Sequence, residues 1–211
     1  AQVDRSQEGL IVELGSGIGN LKQRIPECIC TDVFPNPWID QVENAYRMSF
    51  ADESVSNLIL FDVFHHLEYP KAALNEFRRV LKPHGRVILF EPCISVLGWI
   101  VYGAFHKEPV AWFDKINLDA GPISDDRLGY YAAQGNACRI FRHSRKYRDL
   151  IGDFSITKVR RYAALAYVMS GGYSGRQLYP DRLYPFIKSC EKVLNHLPSL
   201  FATRLLVVLT K

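Results

Sequence analysis

The 211-residue sequence predicts an α/β fold in which a mostly parallel sheet is covered by helices. Three observations predict it. Short apolar runs alternate with helix-forming stretches through the first 91 residues. The first of those runs, 10–14 (LIVEL), enters the glycine turn Gly15-Ser16-Gly17-Ile18-Gly19. The next run ends in an acid, Asp32. Right-handed crossovers place the ligand crevice of such a sheet at the carboxyl ends of its strands, where the glycine turn and the acid both fall.

The elements follow in order. After the glycine turn, 20–24 allows only a brief helix, because Pro26 closes it. A second strand covers 27–31, and Pro35 and Pro37 force an extended loop before a weak third strand at 39–42. Residues 57–63 (NLILFDV) form a buried strand. In 70–81, Ala73, Leu74, Phe77, Val80 and Leu81 recur at helical steps. Pro83-His84-Gly85 stops that helix, and 86–90 (RVILF) is the next strand. The second half has another texture. An apolar helix at 94–105 leads into a long irregular stretch, 107–136, with Gly121-Pro122 and Gly129. Loops that long inside a compact domain are usually functional. Helices at 142–151 and 181–194 and strands at 155–162 and 200–209 complete a single domain over 1–211, with 93–136 as a lid or acceptor-binding insertion.

Composition bounds the function. A net charge of +4 is mildly basic, and the cluster Arg139, Arg142, Arg145, Lys146 and Arg148 reads as a solvated surface, so no nucleic-acid partner is expected. Five cysteines, at 28, 30, 93, 138 and 190, include no CxxC pair, which points to reduced thiols in a cytoplasmic compartment and to no metal site. The N-terminus carries no signal pattern. The apolar stretch 94–105 falls short of the ~20 residues of a membrane span. It reads as a buried or lid helix, with a membrane-grazing helix as the alternative and no stable membrane insertion.

The glycine turn carries the most information. Glycines let the backbone turn tightly and let a ligand come close, and the helix start behind them offers N–H groups to an anionic group. Asp32 suits the two hydroxyls of a ribose. The dinucleotide fingerprint GxGxxG is not met, because Asn20 stands where its third glycine belongs.

The segment VELGSGIG, 12–19, resembles motif I of class I S-adenosylmethionine-dependent methyltransferases of the type 11-like family. The stretch MSFADESVSNLILFDVFHHLEYPKAALNEFRRVLKPHGRVILFEP, 48–92, resembles the later half of the same domain. The resemblance implies a Rossmann-like seven-stranded sheet in the order 3-2-1-4-5-7-6, with strand 7 antiparallel, helices on both faces and a helical lid insertion after strand 5. It implies S-adenosyl-L-methionine as cofactor. Glu13 and Gly15, Ser16, Gly17 and Gly19 would surround the methionine part, with Asp32 at the ribose. Asn44 and Ala45 stand where the family has an acid–small pair beside adenine. Phe61, Asp62 and Val63, followed by Phe64, would line the pocket near the sulfonium. Ser49-Phe50, Val55-Ser56 and His84-Gly85 depart from the family's Pro-Phe, Phe-Asp and Gly-Gly, all away from the cofactor. Relatives also carry helices ahead of the first strand. With nine residues before Leu10, the expectation is an open pocket, or one closed by a second copy in a homodimer.

Methyl transfer needs an in-line acceptor, and a hydroxyl acceptor gains from a general base near pH 7. His65 and His66 follow the fourth strand at the ligand end, and His66 is the preferred base because the resembled motif keeps it more often. Capping or packing of the following helix is the competing reading of the pair. Asp62 is a candidate for the cofactor's amino group, Glu91 is a second acid facing the crevice, and His106 with Glu108 is a further candidate for the site. Ala111-Trp112-Phe113-Asp114 and Ser170-Gly171-Gly172-Tyr173 resemble a subset of bacterial methyltransferases with an inserted lid. Trp99, Tyr102, Phe105, Trp112 and Phe113 are either core or an acceptor pocket above Asp62 and His66. The expected function is methyl transfer to a small-molecule or glycan- or lipid-linked O or N acceptor. The alternatives are an S-adenosylmethionine-binding scaffold without turnover and a nicotinamide-dependent oxidoreductase.

Overall fold

A strand buried on both faces reads as a continuous apolar run, and the central strands of this chain do so. In a computed structural model, which describes residues 2–106, 108–119, 121, 131–171 and 175–211, seven strands form one sheet. They are β1 (Leu10–Leu14), β2 (Ile29–Asp32), β3 (Gln41–Val42), β4 (Val55–Phe61), β5 (Leu81–Pro92), β6 (Ser155–Tyr162) and β7 (Arg204–Thr210). Their order is β3-β2-β1-β4-β5-β7-β6. β1 to β5 run parallel, and β7 is antiparallel to both β5 and β6. The registers Leu14↔Leu60, Phe61↔Phe90 and Pro92↔Arg204 bring the ends of β1, β4, β5 and the start of β7 to one edge. That edge is where the glycine turn opens.

The helices are α1 (Pro70–Val80), α2 (Val96–Ala104), α3 (Asn136–Arg142), α4 (Arg148–Ile151), α5 (Leu165–Met169), α6 (Tyr184–Leu194) and α7 (Pro198–Phe201). Side chains alternate across the sheet. Val12, Leu14, Leu58, Leu60, Val87, Leu89, Leu205 and Val207 pack with Leu74 and Phe77 of α1, Ile140 and Phe141 of α3 and Leu150 of α4 in the main core. Ile11, Cys30, Ile59, Ile88 and Val208 face the other way, where Val3 of the N-terminal segment and Leu21 cover them. At the ligand end of that second face, Tyr167 of α5 meets the Phe90 ring edge-on at 6.4 Å. Tyr179 and Ile187 join α5 and α6 in a small separate cluster.

Several expectations are corrected. The helix expected at 142–151 is two short helices, α3 starting earlier and α4 ending it, with residues 143–147 as a turn between them. β5 starts at Leu81 rather than Arg86, and α1 ends at Val80, because Pro83 cannot extend a helix but tolerates extended backbone. The last strand starts at Arg204, since Pro198–Phe201 forms one helical turn first. The brief helix after the glycine turn is a 3₁₀ turn, Asn20–Gln23, too short for a helix-terminus anion site. The 93–136 insertion contains α2. Its residues 107, 120 and 122–130, including Pro122 and Gly129, lie outside the described residues, as do Gly172 and Tyr173. Among the described residues no helix is long and apolar enough to cross a membrane.

Candidate functional site

Gly15, Gly17 and Gly19 all have positive φ, so each needs the freedom that glycine gives. Gly15 packs against the Val63 side chain, which ties the turn to the end of β4. A Cβ on Gly19 would sit 2.5 Å from the Trp38 carbonyl oxygen. A Cβ on Gly17 would meet nothing within 4 Å, so the Gly17 backbone faces open space. Ser16 is buried: its hydroxyl donates to the Glu13 carbonyl and accepts from the Thr31 N–H at 3.1 Å, locking the turn to β2. Glu13 is buried too, beside the Cys30 thiol, and burial raises its carboxyl above the usual range.

Asp32 is drawn to this turn. Its Oδ2 accepts the Gly17 N–H at 3.0 Å and its Oδ1 the Phe34 N–H at 3.2 Å, which leaves lone pairs of a fixed carboxylate for a diol. Phe34 and Trp38, in the loop behind it, are each 58 % exposed. Asn44 is occupied locally, its side-chain oxygen accepting the Tyr46 N–H at 2.9 Å, and Ala45 packs against the main core. An open glycine backbone, a positioned acid and exposed rings together fit S-adenosylmethionine. Bound there, that cofactor supplies an activated methyl group on a sulfonium.

The end of β4 carries the second half of the site. Phe61 is exposed at the surface and packs edge-on to Phe90 at 6.0 Å. Asp62 has φ of 57°, an uncommon backbone for a residue with a side chain. Its Oδ2 pairs with Arg204 and accepts the Tyr167 hydroxyl at 2.8 Å. Arg204 is 2 % exposed, and its guanidinium lies between the Phe90 ring at 4.8 Å and the Tyr167 ring at 4.3 Å. Asp62 Oδ1 is buried and finds no partner among the described residues. A carboxylate oxygen left in that state suits an ammonium group. Arg204 and Tyr167 were not foreseen. A lone cation at the start of an apolar strand is the signal that would have found the first, because a buried arginine requires a partner.

Beyond Asp62, the residues 64–66 turn once and put both histidines under the insertion. Glu91 is fully buried and accepts the N–H groups of Val63 at 3.0 Å and Phe64 at 2.8 Å, so it stitches β5 to this turn. The same carboxylate lies 2.7 Å from His65 Nδ1, and Glu108 Oε2 lies 3.3 Å from His65 Nε2. Burial opposes protonation of His65, but the two carboxylates outweigh it and hold the ring up to about 9. The two carboxylates thus favour the protonated ring of His65. His66 is 30 % exposed; it donates from Nδ1 to the Tyr131 carbonyl at 2.8 Å and turns Nε2 toward Glu108 Oε1 at 3.7 Å. Burial, and then the neighbouring His65, push its pKa below the ordinary imidazole value. His106 reaches the group indirectly: Gln134 Nε2 donates to His106 Nδ1 and to Glu108 Oε2, both at 2.8 Å.

The insertion thus packs on the end of β4 through Glu108, Tyr131 and Ala133, whose N–H donates to the His65 carbonyl at 2.9 Å. Its aromatics divide between the core and the surface. Tyr102 turns inward and donates to the Thr203 carbonyl at 2.8 Å. Trp99 and Trp112 line an apolar groove with Arg142 and Ser199, and Phe105 and Phe113 are exposed. The physical reason is that α2 spends its inner face on α7 and on the segment just before β7.

Residues 12–89 match the family model of the methyltransferase domain. No curated protein matches the chain in sequence. Among solved structures, it is similar to an S-adenosylmethionine-dependent methyltransferase from Archaeoglobus fulgidus. The TM-score there is 0.54 at 13 % identity, over 97 % of this chain and 86 % of that one. It is also similar to one from Thermotoga maritima described as a possible histamine N-methyltransferase, with a TM-score of 0.53 at 16 % identity over 97 % and 83 %. A third is a geranyl diphosphate methyltransferase in complex with S-adenosylmethionine, with a TM-score of 0.51 at 14 % identity over 96 % and 78 %. At these identities the solved structures establish the shared fold, and the domain model covers the cofactor half. Residues 12–89 thus match a methyltransferase domain, on a fold that the whole chain shares with S-adenosylmethionine-dependent methyltransferases.

Proposed function

We propose that the protein moves the methyl group of S-adenosylmethionine to a hydroxyl oxygen of a small-molecule or glycan- or lipid-linked acceptor, met at the end of β4. The observation that carries this reading is the polar cluster beyond Asp62. A neutral amine attacks a sulfonium methyl without help, and an apolar wall would serve it. A hydroxyl must lose a proton as it attacks, and this end of the sheet holds groups able to receive one. With His65 already protonated, the proton goes toward His66 and Glu108. The glycine turn and Asp32 hold the cofactor, with the methionine ammonium near Asp62 and its orphaned Oδ1. Arg204 and Tyr167 fix the Asp62 carboxylate and are positioning residues. Glu13, Ser16 and Val63 act through the shape of the turn.

Incubation with S-adenosylmethionine labelled in the methyl group and panels of phenols, sugar alcohols, polyprenyl or glycolipid alcohols and amines tests the reading. Transfer to a hydroxyl panel, rising with pH, is the expected result. Transfer confined to amines would replace the oxygen acceptor with nitrogen.

A further inference from the structure

We propose that His65, His66 and Glu108 form a binding site for one divalent transition-metal ion of the zinc class, at the end of β4. The three ligand atoms, two imidazole nitrogens and a carboxylate oxygen, lie within 4.8 Å of one another. The distances from Glu108 are 3.3 Å to His65 Nε2 and 3.7 Å to His66 Nε2. The first distance is to Oε2 and the second to Oε1. Ligands about 2.0–2.1 Å from a shared tetrahedral ion stand roughly 3.3–3.4 Å apart, so the set would have to draw in by up to about 1.5 Å to close on an ion.

The arrangement around these three groups points the same way. A metal-binding histidine typically donates its other ring N–H to a carboxylate or a backbone carbonyl, which fixes ring and tautomer. His65 Nδ1 has Glu91 at 2.7 Å, and His66 Nδ1 has the Tyr131 carbonyl at 2.8 Å. Both rings therefore turn Nε2 toward Glu108. That carboxylate is itself held by Gln134 Nε2 at 2.8 Å. Two nitrogens and one oxygen, each oriented from behind, make a donor set suited to zinc and its first-row neighbours. Glu108 comes from the insertion and the histidines from the turn after β4, so a bound ion would pin the insertion to the sheet.

Among the described residues three protein ligands converge, and a further tetrahedral position would take water or an acceptor oxygen. This consequence rests on the proposed function and would apply when the ion is bound. The ion would then replace free His66 and Glu108 as the group that helps an acceptor hydroxyl lose its proton. That proton would leave to solvent as the oxygen attacks the methyl carbon and the carbon–sulfur bond breaks to give neutral S-adenosylhomocysteine.

The test uses the full chain, stripped with a chelator and titrated with Zn²⁺, with Co²⁺ as a spectroscopic probe. We expect one ion per chain and tetrahedral visible bands for Co²⁺. His66→Ala and Glu108→Gln should each weaken Zn²⁺ binding at least a hundredfold. His143→Ala, outside the cluster, should leave it unchanged. Circular dichroism shows that each variant is folded. Absence of stoichiometric binding, or binding that survives both cluster variants, overturns the proposal. Binding of S-adenosylhomocysteine is measured on the stripped protein in parallel: its loss would count against the cofactor site, and its retention without metal binding would count against the metal site alone.

Discussion

The His65–Glu91 pair makes the stability of this protein depend on pH in a direction opposite to that of a carboxylate network. In the metal-free fold His65 is held near 9, against about 6.5 for an ordinary imidazole, by Glu91 and Glu108. A group whose folded value lies above its unfolded one stabilises fully below the unfolded value, and the contribution is lost as pH rises through the folded one. The window is therefore about pH 6.5 to 9. A rise of this size is worth about 3 kcal/mol, a large share of the stability of a domain this size. Urea unfolding at pH 6 and pH 10, with chelator present so that no ion competes, measures it. The wild type should lose about 3 kcal/mol more across this range than His65→Asn. Parallel profiles for the two proteins would refute the assignment of the charge to His65. Glu91→Gln should flatten the same slope and be destabilised at pH 6 as well, because an amide cannot accept both from the turn and from the imidazolium.

Other outcomes follow from the same geometry. Gly17→Val should abolish S-adenosylhomocysteine binding measured by calorimetry, and normal binding would remove the glycine turn from the site; its positive φ adds some loss of stability, checked by a melt. Asp32→Ala should weaken that binding roughly tenfold to a hundredfold, since charge-assisted hydrogen bonds are worth about 1.5–3 kcal/mol; a change under threefold would sink the ribose assignment. Arg204→Met leaves the Asp62 carboxylate without its buried cation and should cost about 3 kcal/mol. This is roughly 6–12 °C in melting temperature for a domain of this length, whereas an unshifted melt would show the pair to be idle. Hydrogen exchange over 108–119 and 131–135 should slow when an acceptor joins the cofactor; equal exchange with and without acceptor would deny the insertion its role as a lid.

The amino-acid sequence by itself determined the cofactor half. Apolar runs such as 58–60 are driven into the core, a GxGxG turn after such a run bends sharply, and Asp32 at the end of the next run falls beside that turn. These are local consequences of side-chain burial and backbone freedom, which is why β1, β2, β4 and α1 were legible within a few residues. Elements made of short, mixed stretches were not: α3 and α5 hold seven and five residues, and packing against the sheet rather than periodicity sustains them. The same holds at the site. His65 and His66 were visible as a pair, but their different states were not. The pKa of one is raised between Glu91, 26 positions away, and Glu108. That of the other is lowered by burial and by its neighbour, with its ring held on Tyr131, 65 positions away. Arg204 meets Asp62 across 142 positions. Which charge a buried group carries depends on what the fold sets within a few ångströms of it, because in a poorly screened interior the nearest opposite charge decides between burial and ionisation. That neighbourhood belongs to the tertiary structure alone.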